Sequence, residues 1–168
     1  MRNIAIVGLL GCMLVLSAGV SAIAANDQDK SFLHDAMQDN ADLRTLSDYA
    51  VKKIPQAKVR QFAQMVSQRS TGVDDVLMRD AKTSDVKPPG TLSLRASDQY
   101  SRIQAQNARN AADEYLRDVA IDARISEDDY AAEAQSGTEP GLKRLASARA
   151  AELERIAKQA DSLRTSLR

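Results

Sequence analysis

Apolar residues recur every three or four positions along most of the chain, which is the pattern of amphipathic α-helices. The clearest stripe lies within residues 56–77 and consists of Val59, Phe62, Val66, Val73 and Leu77. Ser70 occupies the same row at the one position where the apolar pattern is interrupted. A small polar residue inside a buried stripe is where a helical bundle would hold reactive groups, so Ser70 is the first candidate site residue.

The stripes predict four long helices. The first runs from about Asp29 to Lys53, and the second from about Gln56 to Lys82. Pro55 separates them, because the residue before a proline avoids the helical region. The third runs from about Asn110 to Ala134, and the fourth from about Pro140 to the C-terminus. Helices this long can bury a common core between them.

The connection between the second and third helices is long. The range Thr83–Gly90 is rich in residues that break helices, and a short helix follows it at about Ala96–Ala108. A connection of this length can cross the bundle, so that the third helix starts at the same end as the second. The other connections are short, and Thr138 is the predicted cap of the fourth helix.

Length and composition agree with one domain of this kind. A chain of 168 residues is enough for a single core. Aromatic residues make up only 4% of the chain, as in bundles packed by Leu, Val, Ile and Ala. The predicted fold is therefore all-α: an antiparallel four-helix bundle whose long connection carries a short helix.

Residues 1–25 have the pattern of a secretory signal peptide. Arg2 supplies a positive start, and an uncharged apolar run follows it. The run closes on small residues in the range Ser21–Ala25, which fits the cleavage rule. We therefore expect a periplasmic protein whose mature domain spans residues 26–168.

Two alternatives for this segment stay open. The range Leu9–Cys12 resembles a bacterial lipoprotein box, in which Cys12 would carry the lipid. The apolar run is also close to the ~20 residues that a membrane helix needs, so it could remain as an uncleaved anchor. Contact with a membrane is expected only in these two cases.

Charge and residue counts exclude several function classes. Basic and acidic residues number 23 each, so no overall field favours nucleic acid. Cleavage of the signal would remove Cys12, the only cysteine, and with it any disulfide or thiolate site. His34 is the only histidine, lies beside Asp35, and is expected at the surface. A single imidazole cannot build the usual metal site.

Four polar residues fall on or beside the inward stripes: Asn40, Ser70, Asp122 and Arg149. An Asp–Arg pair with amide and hydroxyl neighbours could satisfy itself in a bundle centre. One interpretation is a pocket for a small anion or polar ligand. The other, which we favour, is a structural network. No catalytic, cofactor-binding or metal-binding residue is predicted, because Ser70 has no base on its helix face.

Three segments carry a resemblance to a known family. The range Val59–Val66 resembles a VKxFAxxM box, and Glu139–Ala146 resembles a DPxLKxxA start to a last helix. Tyr115 and Asp122 resemble the tyrosine and the aspartate of a third-helix box. These boxes belong to the bacterial domain-of-unknown-function family 4142. The resemblance covers Phe32–Leu163 and implies a secreted, ferritin-like domain without assigning a reaction.

The resemblance also implies a polar site that this chain has lost. The family commonly places a glutamate in its first long helix and a histidine in each of the other three, near mid-height. Those positions fall on Leu43, Ser70, Ala123 and Ile156. We expect apolar atoms to fill this region, and the Ser70 hydroxyl to bond back to a carbonyl near Val66.

The expected function is that of a non-catalytic binding module. Its partner would be an unknown envelope protein or a small ligand, and an association with envelope stress rests on the family alone. The alternative is a metal-dependent redox or metal-storage protein of ferritin-like type. That alternative needs several carboxylates and histidines converging on the metal.

Mass spectrometry of the native protein tests the export hypothesis. We expect a chain that begins at Ala25 or Asn26, because signal peptidase cleaves after small residues. A mature N-terminus at a lipid-modified Cys12 would contradict this expectation and favour the lipoprotein alternative.

Overall fold

The computed structural model describes residues 26–167, all of whose regular structure is helical. The helices are α1 (Asp27–Lys53), α2 (Ala57–Thr83), α3 (Leu94–Ala105), α4 (Ala108–Ser136) and α5 (Pro140–Ser166). The predicted all-α bundle is confirmed, and the predicted short helix is α3. The predicted signal peptide lies outside the described residues.

The four long helices form two hairpins, α1 with α2 and α4 with α5. The hairpins meet where α1 packs against α4. The Ser47 hydroxyl lies 3.0 Å from the Tyr115 hydroxyl, and the rings of Phe32 and Tyr130 pack edge-to-face 5.0 Å apart. These pairs make α1 and α4 antiparallel. Consequently α2 and α4 start at the same end of the bundle, an arrangement that the long connection between them allows.

The connection after α2 passes over α1 and leads into α3. The Gln38 side-chain amide donates to the Thr91 carbonyl at 3.0 Å, and the Ser93 N–H donates to Asp42 at 3.1 Å. From there α3 contacts both α4 and α1. It therefore covers part of the groove between the two hairpins.

The start of α5 differs from the prediction. Thr138 does not cap this helix; Glu139 does, with its side chain accepting from the Leu142 N–H. Thr138 instead donates its N–H at 2.9 Å and its hydroxyl at 2.6 Å to Asp29 of α1. The predicted cap is wrong because a buried carboxylate from a distant helix takes the hydroxyl. Pro140 does begin the helix, where its missing N–H costs nothing.

Phe62 anchors the core from α2. Only 2% of its surface is exposed, and its ring packs against that of Tyr115, with ring centroids 6.4 Å apart. This contact joins the two hairpins through large apolar groups. Burial of such side chains is the main favourable contribution to folding.

Replacing Phe62 with alanine should lower the free energy of unfolding by about 3–5 kcal/mol, because the change leaves a cavity in the core. Leu94→Ala is the control, since Leu94 is 89% exposed. The control should change the free energy by no more than ~0.5 kcal/mol. Chemical denaturation measures both, and equal effects of the two changes would contradict this description of the core.

Candidate functional site

The positions where the family resemblance places ionisable groups are all buried. They are Leu43, Ser70, Ala123 and Ile156, and none has more than 4% of its surface exposed. Leu43, Ala123 and Ile156 belong to the apolar core. Hydrocarbon side chains can neither ligate a metal nor move a proton, so three of the four positions carry no chemistry.

Ser70 is fully buried, and its hydroxyl has no hydrogen-bond partner among the described residues. The predicted bond from this hydroxyl to a carbonyl near Val66 is therefore wrong. Ser70 takes part in the polar interior through its backbone instead. Its carbonyl accepts a hydrogen bond from the Asn40 side-chain amide at 2.8 Å. Sequence periodicity places side chains and gives no information about such a backbone contact.

Arg149 is the charged centre of the interior, with only 3% of its surface exposed. Its Nη2 donates to Asn40 Oδ1 at 3.0 Å, which joins α5 to α1. Its Nη1 donates to Glu152 Oε2 at 2.6 Å, three residues along the same helix. The guanidinium thus has one neutral and one charged acceptor. Buried charges persist in proteins when they are paired in this way.

The network ends on the surface at two further arginines. Asn40 Nδ2 donates to Asp74 Oδ1 at 2.6 Å, and Arg44 pairs with the other Asp74 oxygen at 2.5 Å. Arg69 pairs with Glu152 at 2.6 Å. Burial raises the pKa of Glu152, but hydrogen bonds from the two arginines outweigh this effect and lower the pKa overall. Glu152 is therefore held ionised between two arginines, and Asp74 lies between an amide donor and an arginine.

A narrow gap lies beside this network, between α1, α4 and α5. Its free volume is about 10 Å³, close to the minimum for one water molecule. It is lined by Asp39, Asn40, Leu43, Ser126, Tyr130, Arg149 and Leu153. Two of these polar groups, the Tyr130 hydroxyl and Arg149 Nε, have no hydrogen-bond partner among the described residues. The gap is too small for an organic ligand.

Asp122 does not belong to the Arg149 network. The Gln99 side-chain amide donates to Asp122 Oδ1 at 3.0 Å, and Arg95 Nε lies 3.4 Å from the same oxygen. The predicted Asp–Arg pair with Arg149 is therefore wrong. The reason is helical register: Ala123 points into the core, and its neighbour Asp122 is turned by 100° towards α3.

The groove between α1 and α4 holds α3 by charged contacts that sequence reasoning missed. Arg102 pairs with Asp118 at 3.1 Å, and Arg95 also lies 3.5 Å from Asp39. Burial raises the pKa of Asp122 to about 6, against the opposing effects of Gln99 and Arg95. The spacing of the charges could have indicated these contacts. The two arginines of α3 are seven residues apart and lie on one face of the helix, and the two aspartates of α4 that they meet are four residues apart.

His34 lies on the surface, as predicted, with 56% of its side chain exposed and Asp35 at 3.2 Å. Within residues 26–167, no three side chains of the types His, Cys, Asp and Glu are grouped so that they could hold a metal ion. None of the helices described combines the length and apolar content that crossing a membrane requires.

Arg149→Met tests the interior network. We expect it to lower the free energy of unfolding by roughly 1–3 kcal/mol, because Asn40 Oδ1 is left buried without a donor. Arg155→Met is the control, since Arg155 lies exposed on the same helix. Equal effects of Arg149→Met and Arg155→Met in urea denaturation would contradict the network.

Comparisons with known proteins agree with the fold and assign no reaction. The crystal structure of a DUF305 fragment from Deinococcus radiodurans superposes with a TM-score of 0.77 at 12% sequence identity. The match covers 85% of this chain and 99% of that chain, and at this identity it shows the fold alone. No curated protein matches the sequence. The model of a family described as a domain of unknown function, DUF4142, matches residues 16–163, so the chain belongs to that family.

Proposed function

We propose that this chain is an exported, non-catalytic binding module of the bacterial cell envelope. The pattern of residues 1–25 supports export, because a positive start, an apolar run and small residues at its end are what signal peptidase substrates share. The mature domain, residues 26–168, would act in the periplasm. Its partner would be an envelope protein or a small ligand, and a connection with envelope stress is part of the proposal.

The observation that carries this proposal is the content of the bundle centre. Bundles of ferritin-like type build metal sites from carboxylates and histidines on facing helices. Here Leu43, Ala123 and Ile156, at three of the positions where the family resemblance implies ionisable groups, belong to the apolar core. Arg149, a buried charge that lines the same gap as Leu43, is already bonded to Asn40 and Glu152. These contacts favour a structural role for the centre, because none of these groups is free to ligate a metal.

The polar groups near the centre are also badly placed for covalent catalysis. A serine nucleophile needs a base within hydrogen-bonding reach of its hydroxyl. The Ser70 hydroxyl has no partner among the described residues. Its close neighbour Asn40 donates to the Ser70 carbonyl and is no base. These contacts favour a structural role for Ser70.

Thermal unfolding with and without iron, manganese and zinc tests the proposal. We expect the melting temperature of the wild-type protein to be the same in each case, because only ligands that bind the native state raise it. The combined variant Leu43→Glu, Ser70→His, Ala123→His and Ile156→His is the positive control. It places one carboxylate and three imidazoles at the lost site, a set that suits zinc or iron.

A second variant with glutamine at the same four positions separates metal binding from polarity. It should show no response to metal, because amide side chains are poor ligands for zinc. Circular dichroism establishes whether each variant folds. A rise in the wild-type melting temperature with one metal would overturn the proposal whatever the variants do, and would favour the metal-dependent alternative.

A further inference from the structure

The end of the bundle where α1 starts contains a buried carboxylate, Asp29. None of its surface is exposed, although it lies in the first turn of α1. It accepts hydrogen bonds from the Thr138 N–H at 2.9 Å, the Thr138 hydroxyl at 2.6 Å and the Glu139 N–H at 3.2 Å. Its own N–H donates to the Asn26 side chain that caps α1. Asp29 therefore fastens the start of α1 to the turn between α4 and α5.

A second carboxyl group, that of Glu133, lies against the first. Glu133 is 2% exposed, and its side chain folds back over Gly137. A Cβ atom at position 137 would overlap the Glu133 carboxyl group and come within 2.7 Å of the Glu133 carbonyl oxygen. Glycine at this position therefore leaves the room that the side chain occupies. There the Glu133 carboxyl group lies close enough to Asp29 for each group to shift the pKa of the other, and Glu133 Oε1 is buried without a hydrogen-bond donor among the described residues.

Two carboxyl groups can form a hydrogen bond only when one of them carries a proton. Glu133 is the group that carries it, because Asp29 already has three donors that favour its ionised form. Burial and the Asp29 charge raise the pKa of Glu133 to about 7. Burial also raises the pKa of Asp29, but the bonds from Thr138 and Asn26 outweigh it and leave the pKa below its usual value.

The neighbouring charges do not supply another partner for Glu133. Lys143 of α5 favours the ionised form of Glu133 from a distance, while its own Nζ donates to the Gln135 carbonyl at 3.0 Å. Glu139 is bound to the Leu142 N–H of α5. Burial and, secondly, the charge of Glu139 raise the pKa of Asp80 of α2. The surroundings are thus acidic, which adds to the need for a proton.

We propose that Asp29 and Glu133 share one proton and act as a latch that closes the start of α1 onto the α4–α5 turn and opens as the proton is lost. The latch is independent of the binding role proposed above. Asp29 lies in the first turn of α1 and contacts the α4–α5 turn, about three turns of helix before Asn40. Its proton comes from solvent and returns to solvent, so no other reactant is needed. The fold would sense pH at this end.

The direction of the effect follows from which group is shifted. The pKa of Glu133 is raised from 4.5 to about 7 by folding, so its stabilising effect is complete below its ordinary value. That effect is lost as the pH rises towards 7. Asp29 behaves in the opposite sense, because its pKa is lowered from 3.8 and its stabilising effect is lost on acidification. Both stabilising effects are complete only between the ordinary pKa values of the two groups, 3.8 for Asp29 and 4.5 for Glu133, so the latch is strongest there.

Amide hydrogen exchange between pH 5 and 8 tests the latch locally. The probes are the N–H groups of Thr138 and Glu139, which donate to Asp29. Their protection factors should fall by up to roughly tenfold per pH unit as the pH rises to about 7, and then level off, as release of one proton requires. The Ile54 N–H, bonded to Ala50 at the other end of the bundle, reports on global stability. Its protection should change much less.

Two variants give the matched comparison. In Glu133→Gln the amide donates to Asp29 at every pH, so the protection of Thr138 and Glu139 should become independent of pH. Glu127→Gln, a half-buried change on the same helix, should keep the wild-type slope. A wild-type slope in Glu133→Gln, or a flat wild-type profile, would overturn the proposal. If Glu133→Gln does not fold, an NMR titration of the Glu133 carboxyl carbon in the wild-type protein replaces that comparison. A titration midpoint near pH 4.5, the ordinary value of a glutamate, would overturn the proposal.

Discussion

A guanidinium group inside a helical bundle has to be surrounded by acceptors, because an unpaired buried charge costs several kcal/mol (of order 3–5). Arg149 meets this requirement by reaching across to Asn40 of α1 and along its own helix to Glu152. Asn40 in turn binds the Ser70 carbonyl and Asp74 of α2. One buried charge thus fixes three helices relative to each other, and a shift of any of them by one turn would leave polar groups unpaired.

The buried polar residues of α1 each contact a different part of the fold. Asp29 binds the α4–α5 turn, Asn40 binds α2 and α5, Asp42 binds the chain before α3, and Ser47 binds Tyr115 of α4. Apolar packing alone tolerates many registers. Contacts of this kind distinguish one register from the others, which is the best attested role of buried polar groups. The interior polarity of this chain is therefore explained by assembly of the bundle.

The sequence predicted the helices because their apolar stripes are long and regular. It also placed Arg149 and Asn40 inside, since both interrupt such stripes. It could not predict their partners, because periodicity gives the face of a helix and says nothing about which residue of another helix lies opposite. Asp122 shows the limit: one residue from the buried Ala123, it faces α3 and binds Gln99. The Ser70 carbonyl and the Thr138 bonds to Asp29 depend on backbone positions that only the folded chain defines.

The buried charge of Arg149 is paired inside the bundle, and we propose that the bundle holds no resident metal. Elemental analysis of the protein purified from its native host tests this most directly, because that material has met the metals available where the protein folds. The account predicts iron, manganese and zinc well below one equivalent per chain. One equivalent of any of them, retained through gel filtration, would contradict it.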